Sequence, residues 1–252
     1  MNPNKVIQLS IKAGSLLLES GAETYRVEDT IVRICNNYNM EDTNCFCTQT
    51  GIMLSSIYEG TTYSQVARIN TRSTNLDRIA RINQLSRDAK TLDVLDFEKQ
   101  LNEIMQTKTY SLLTNILFAG VCTCGFALLF KGTLMDAMCS FALGALVRYF
   151  TLFFESKKLN SFFNISMCAI FITLSALIFE QVGIVSNRNT VIISTIMLLV
   201  PGLAITNAIR DSIAGDLVSG TARGVEALLI AIAVALGSGI AMTVWISLGG
   251  II

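Results

Sequence analysis

Histidine is absent from all 252 residues of the sequence. Serine proteolysis through a Ser–His pair and zinc proteolysis through a His-Glu-x-x-His motif both require it, so both are excluded. An excess of positive charge is also absent, because 19 Lys and Arg residues balance 19 Asp and Glu residues. Neither half of the chain is basic enough to predict a nucleic-acid partner.

The N-terminus lacks the pattern of a secretory signal. Lys12 and Glu19 interrupt the apolar run that begins at Val6, and no small-residue cleavage site follows. This segment is more typical of an amphipathic helix in a soluble domain.

A zinc-type arrangement of cysteines is also missing. Cys35, Cys45 and Cys47 lie in the front half of the chain, and their spacing matches no zinc pattern. The other four cysteines lie in apolar stretches, where a thiol behaves as a small hydrophobic group. We therefore predict reduced thiols, no metal site and no cofactor.

Long apolar stretches dominate the chain after residue 108, and a bilayer accounts for them because each spanning segment must be a helix. We predict a membrane α-helical fold with five transmembrane helices in residues 109–252, preceded by a small cytoplasmic α+β domain in residues 1–108. The predicted spans are Thr109–Phe130, Thr133–Phe154, Asn160–Phe179, Thr190–Ile209 and Gly224–Leu248.

The front domain alternates between helical and strand patterns. Helical periodicity covers residues 5–19, Tyr25–Tyr38, Leu76–Asp88 and Val94–Thr107. Residues Cys45–Ile57 and Thr61–Asn70, separated by Glu59-Gly60, predict a β-hairpin. The last helix enters the first span without a Pro or Gly linker, which suggests a rigid coupling.

The distribution of cations between the predicted loops indicates the orientation in the membrane. An N-terminus inside the cell gives six cytoplasmic cations, which are Lys99, Lys108, Lys157, Lys158, Arg210 and Arg223. Only Lys131 and Arg188 would then lie outside. We expect a multi-pass plasma-membrane protein with a cytoplasmic N-terminus and an external C-terminus.

The segment from Pro201 to Glu226 carries the densest set of candidate functional residues. Pro201 removes a backbone donor and Gly202 loosens the next turn, so the fourth span should kink or break there. A broken helix in a membrane is tolerated where protein or a water-filled cavity covers it. The candidate translocation residues are Pro201, Gly202, Thr206, Asn207, Arg210, Asp211, Gly215, Asp216, Arg223 and Glu226.

A purely structural interpretation of the same segment stays open. Proline is common in transmembrane helices, topology requires charged cytoplasmic loops, and Gly220 with Gly224 forms a small-xxx-small pair for helix packing.

In the second span, Asp136 lies near one end and Arg148 is a further translocation candidate. An ionised group costs several kcal/mol at the bilayer centre, but Arg148 is off centre and could extend to the interface or pair with Glu155.

Two motifs resemble the threonine/serine exporter family. The first is the run from Ser20-Gly-Ala-Glu-Thr-Tyr-Arg-Val-Glu-Asp to Cys35. The second extends from Pro201-Gly202 through Asn207-Ala-Ile-Arg210-Asp211, Gly215-Asp216, Ser219-Gly220 and Arg223 to Glu226-Ala227. The resemblance implies a cytoplasmic front domain, a membrane part and export of threonine or serine. In split members a chain like this one works beside a smaller membrane protein, and at least one such pair is linked to succinate export.

We therefore predict a transporter subunit that exports small polar carboxylate metabolites, with threonine or serine first and a dicarboxylate such as succinate second. Arg210, Arg223 or Arg148 would suit a carboxylate, Thr206 and Asn207 could recognise a hydroxyl or amine, and Asp211, Asp216 or Glu226 could couple protons. The expected partners are a small membrane protein, the lipid bilayer and a small-molecule substrate, with a homo-oligomer also open and no nucleic acid.

Two other function classes remain open from the sequence. A membrane-anchored sensor would use the front domain as a ligand receptor, and a soluble-domain enzyme would use acid–base groups of its second helix. The candidate gating and regulatory residues there are Glu23, Tyr25, Arg26, Glu28 and Asp29. Helix capping and ion pairs explain these five residues at least as well, so we do not predict an enzyme.

Overall fold

The computed structural model describes residues 2–107, 110–157 and 159–250. Lys108 and Lys158 of the orientation argument, Thr109 of the first predicted span and the terminal Ile252 lie outside these ranges. The chain forms two units: a front unit of Met1–Lys108 with Leu203–Gly224, and a membrane unit of Thr109–Gly202 with Val225–Ile252. The sequence-based division kept 203–224 in the membrane part, and the structure groups this segment with the front residues instead.

Besides two helical segments from residues 203–224, the front unit combines four helices with one antiparallel sheet. The helices before the membrane unit are α1 (Pro3–Glu19), α2 (Thr24–Asn37), α3 (Leu76–Asp88) and α4 (Val94–Gln106), with a 3-10 turn at Ala89–Thr91. The sheet has strands β1 (Glu41–Thr48), β2 (Gly51–Tyr58) and β3 (Thr61–Arg68) in the order β1-β2-β3. The α+β prediction for the front residues agrees with these elements.

The predicted hairpin is a three-stranded meander. The run Cys45–Ile57, predicted as one strand, divides at Gln49 and Thr50, and Thr48 pairs with Gly51 across the turn. Sequence periodicity missed this turn because Gln-Thr lacks the Asn-Gly or Asp-Gly signal of tight hairpins. The second turn, at Glu59-Gly60, was predicted correctly, and both of its residues have positive φ.

A hydrophobic core holds the front unit together. Leu17, Ile31, Ile52 and Phe97 come from four different elements and are fully buried in it. The contact between α1 and α2 is close at Gly14, where an added Cβ would lie 2.3 Å from Ile31 Cδ1. Burial of these apolar side chains away from water stabilises the front unit.

The membrane unit contains the long apolar helices. These are α5 (Leu112–Leu129), α6 (Leu134–Ser156), α7 (Ser161–Gln181) and α10 (Leu217–Ser247). In the described part of the chain, four helices are long and apolar enough to cross a membrane. The count of five predicted spans is therefore not confirmed, although the membrane-helical class is.

The predicted fourth span is interrupted, as Pro201 suggested. Helix α8 (Arg188–Ile196) ends before the proline, and α9 (Gly202–Ala214) begins after it. Neither piece has the length of a span. The chain passes from the membrane unit to the front unit at this interruption, since Gly202 belongs to the first and Leu203 to the second.

Small and polar side chains mediate helix packing in the membrane unit. Thr123 Oγ1 of α5 donates to the Ser140 carbonyl of α6 at 2.7 Å, and Ser140 and Ser194 join α6 to α8 through their hydroxyls at 2.9 Å. A Cβ added at Gly144 would lie 2.2 Å from Thr123 Oγ1. Close approach of small residues with interhelical hydrogen bonds is typical of helix pairs in membranes.

Asp136 has a structural role at the start of α6. Its carboxylate accepts hydrogen bonds from the backbone N–H groups of Thr133 at 2.9 Å and Ser186 at 2.9 Å, and Thr133 completes a capping box.

The prediction that the last front helix runs directly into the first span is wrong. Helix α4 ends at Gln106, and α5 begins at Leu112 with Ser111 as its own N-cap.

Candidate functional site

A buried carboxylate lies at the centre of the candidate site in the front unit. Asp211 of α9 is fully buried. Its Oδ1 accepts a hydrogen bond from the Thr24 backbone N–H at 3.0 Å, and its Oδ2 accepts one from the Thr24 hydroxyl at 3.2 Å. Thr24 is the first residue of α2, so the carboxylate also lies at the positive end of that helix dipole.

Arg223, in the first turns of α10, supplies the cation for this carboxylate. Its Nε lies 3.0 Å from Asp211 Oδ2, and its Nη2 donates to the Ala22 carbonyl at 2.7 Å. Both side chains are more than nine-tenths buried. A buried ion pair is tolerated when its geometry is good and further hydrogen bonds satisfy the charges. Here Thr24 adds two such bonds to Asp211, and the Ala22 carbonyl adds one to Arg223.

Two further contacts join α9 to the loop before α2. Asn207 Nδ2 donates to the Gly21 carbonyl at 2.9 Å. Arg210 Nη1 donates to Glu23 Oε1 at 2.6 Å, and Arg26 Nε lies 3.2 Å from Glu23 Oε2. We call the residues of these contacts the Asp211 cluster: Gly21, Ala22, Glu23, Thr24, Arg26, Asn207, Arg210, Asp211 and Arg223.

Glu23 is a buried carboxylate held between two arginines. Burial alone would raise its pKa, but its own backbone N–H, the hydrogen bond from Arg210 and the charges of both arginines outweigh that effect and lower the pKa. Glu23 therefore stays ionised at neutral pH and fixes Arg210, whose side chain is about half exposed.

The turn between α9 and α10 positions the next acidic residue. Gly215 has a φ of +97°, and the Asp216 N–H bonds to the Asp211 carbonyl at 2.8 Å, which closes the end of α9 as in a Schellman motif. Burial and the nearby Asp211 charge raise the pKa of Asp216. Its half-buried carboxyl group thus keeps a proton to a higher pH than an exposed aspartate does.

Glu28 lies one turn after Thr24 on the same face of α2. Its Oε1 accepts the Cys47 backbone N–H at 2.7 Å, which ties α2 to β1. Burial raises the pKa of Glu28 most, and the charges of Asp216 and Asp211 add to the rise against the Cys47 hydrogen bond. Glu28, Asp211 and Asp216 therefore share one electrostatic neighbourhood.

Other predicted site residues lie apart from the Asp211 cluster. Tyr25 is exposed, and Asp29 forms an ion pair with Arg33 on the surface of α2. Thr206 is exposed on α9, while Pro201 and Gly202 form the interruption. Arg148 and Glu226 belong to the membrane unit and are half buried on α6 and α10. Within the described ranges no ion pair with Glu155 forms at Arg148, so the suggested pairing is absent.

Sequence reasoning missed Thr24 and the carbonyls of Gly21 and Ala22. All three lie inside the first motif, Ser20 to Cys35. The unusual length of that motif was the sequence signal that could have pointed to them. Their role is long-range, because Thr24 and Asp211 are 187 positions apart. Local patterns do not report contacts at such separations.

The two motifs of the sequence analysis, Ser20 to Cys35 and Pro201 to Ala227, meet in the Asp211 cluster. Both lie within the part of the chain that matches a known family model. Residues 8–245 match the ThrE family, described as "Putative threonine/serine exporter". The chain belongs to the ThrE family. ThrE membership and the apolar helices make it a multi-pass membrane protein of a transporter family. No solved structure matches the chain.

Two relatives are similar to this ThrE chain over nearly their whole length. The "Probable succinate transporter subunit YjjP" of Klebsiella aerogenes is 24% identical over 243 residues, covering 95% of this chain and 94% of the relative. The protein of the same name from Escherichia coli strain K12 is 25% identical with the same coverage.

Proposed function

We propose that this ThrE chain is one subunit of an exporter for small carboxylate metabolites. The observation that carries the proposal is the Asp211–Arg223 pair, in which a carboxylate is fully buried against a guanidinium, a hydroxyl and a helix N-terminus. The α9 segment that bears Asp211 follows directly on the Pro201 interruption. A change at that interruption is therefore coupled along the chain to this pair.

The Asp211 cluster acts as a gate in this proposal. Separating α9 from α2 would remove the Thr24 hydrogen bonds from Asp211 and the Glu23 carboxylate from Arg210. Hydrogen bonds to charged groups contribute about 1.5–3 kcal/mol each. A substrate carboxylate offers Arg223 or Arg210 the same chemistry as Asp211 or Glu23, and it would offset that loss. Substrate and internal carboxylates then compete for the same arginines.

A dicarboxylate of the succinate class is our first substrate candidate. The relatives named as succinate transporter subunits match 95% of the chain. In addition, the Asn207 amide, which we expected to recognise a hydroxyl or amine, is bonded to the Gly21 carbonyl. Threonine and serine, which the family description names, are the second candidate class and share the carboxylate.

We further propose proton coupling and a partner subunit. Asp216 supports the coupling, because its raised pKa brings proton binding closer to physiological pH. The word "subunit" in the relatives' names supports a second, smaller membrane protein.

The cation distribution supports a cytoplasmic N-terminus, and an external C-terminus follows from it if the interrupted segment crosses the membrane.

The experiment is a flux assay in vesicles that contain the chain together with its small membrane partner. Labelled succinate and labelled threonine are loaded in separate vesicles, and efflux is followed with and without a pH gradient. We expect succinate efflux that Arg223→Met reduces at least tenfold and Arg81→Met leaves unchanged. Arg81 is a matched control because its ion pair with Asp77 lies on the exposed face of α3.

A further inference from the structure

A pair of thiols lies on the core face of β1, outside the Asp211 cluster. Cys45 and Cys47 are two positions apart on one strand, so their side chains point to the same side of the sheet. Their Sγ atoms are 3.6 Å apart. Cys47 is buried, whereas Cys45 is half buried and gives access to the pair.

The spacing of the two sulfur atoms suits a bridging ion. Two thiolates bound to one tetrahedral zinc at about 2.3 Å are about 3.8 Å apart. A direct disulfide fits less well, because alternate residues of a strand have Cα atoms about 6.6–6.8 Å apart, at the upper limit for a disulfide. Capture of an ion therefore needs less movement of β1 than oxidation does.

A carboxylate lies beside the pair. The Cys47 N–H donates to Glu28 Oε1 at 2.7 Å. A cation bound by the two thiolates would be attracted by this negative charge.

Contrary to the expectation from the cysteine spacing, we propose that Cys45 and Cys47 form a two-thiolate site for one soft metal cation of the zinc, cadmium or copper(I) class. In the described residues no group of three Cys, Asp or Glu side chains could hold an ion, so the two thiolates are the only side-chain ligands of the proposed site. The two thiols release their protons to buffer as the cation binds. The inference is independent of the proposed transport function.

A second Cys-x-Cys sequence provides an internal control. Cys122 and Cys124 have the same spacing but lie on helix α5. Side chains two positions apart on a helix do not face each other. The strand pair, but not the helix pair, can therefore chelate.

The test is a cadmium titration of the full chain in detergent, followed by the ultraviolet thiolate-to-cadmium absorption. We expect one equivalent bound, a loss of affinity of at least tenfold in Cys45→Ser and in Cys47→Ser, and no change in Cys122→Ser or Cys124→Ser. Cys45 is half buried, so its serine variant should fold even if Cys47→Ser does not, and circular dichroism checks both.

Two results would overturn the proposal. One is wild-type protein without a stoichiometric thiolate absorption. The other is a folded Cys45→Ser variant that binds cadmium as wild type does. A loss confined to Cys124→Ser would place the ion on α5 and count equally against the strand site.

Discussion

At the scale of single residues, the buried Asp211–Arg223 pair leads to the most specific prediction about stability. Arg223→Met leaves the Asp211 charge buried without its cation. We expect the free energy of unfolding of the full chain to fall by about 3–5 kcal/mol, measured by denaturation in detergent. Arg81→Met, which breaks an exposed pair of α3, should cost no more than about 1 kcal/mol.

A double variant separates charge from packing at this pair. Asp211→Asn keeps the side-chain shape and removes the charge that Arg223→Met leaves unpaired. We expect the combined variant to be more stable than Arg223→Met alone, because the two effects are not additive for residues in contact. Equal stability of the two would mean that lost packing, not unpaired charge, explains the defect.

The raised pKa of Asp216 leads us to expect that the stability of the fold depends on pH. Its pKa in the folded chain is raised above the ordinary value of 3.8, so the folded state binds the proton more tightly than the unfolded state. Its contribution is fully present below that ordinary value and is lost as pH rises through the raised pKa. We expect Asp216→Asn to flatten the stability curve above about pH 4, with the exposed Asp88→Asn measured in parallel as the control. A curve as steep in Asp216→Asn as in wild type would contradict the assignment.

At the scale of elements, the contact between α9 and the start of α10 depends on Gly220. An added Cβ there would lie 2.9 Å from the Ala208 carbonyl oxygen and 2.9 Å from the Ser212 nitrogen, both backbone atoms. We expect Gly220→Ala to lower the free energy of unfolding by about 1–3 kcal/mol. At Gly224, on the same helix, no described atom lies within 4 Å of an added Cβ. Gly224→Ala should therefore be neutral or slightly stabilising, and matched losses in the two variants would show that the packing is not specific.

The elements also show what sequence patterns can and cannot predict. Helix α3 has the predicted bounds, Leu76–Asp88, because its apolar periodicity and flanking polar residues are local signals. The interruption at Pro201 was predictable because proline lacks a backbone donor. The turn at Gln49 and Thr50 was not, since neither residue favours a tight turn by itself. The bonding of α9 to the start of α2 depends on partners almost 190 positions apart, which no local pattern encodes.

At the scale of the whole molecule, we expect export by this chain to require a partner subunit. We expect the chain, solubilised in mild detergent from cells that also express the small membrane protein, to elute as a complex of both. An isolated monomer that transports substrate in vesicles would contradict the subunit proposal. The cadmium site should bind equally in the complex and in the single chain, because both cysteines lie within β1.

In the proposed mechanism, exchange of carboxylates at the Asp211 cluster opens the path for export. This exchange is tested by measuring succinate efflux against internal succinate concentration in vesicles that contain both subunits. Glu23→Gln removes the charge that competes with substrate for Arg210, so we expect half-maximal efflux at a lower succinate concentration than in wild type. Asp77→Asn, which breaks the exposed pair with Arg81, should leave that concentration unchanged. A half-maximal concentration in Glu23→Gln equal to or above that of wild type would show that no such exchange takes place.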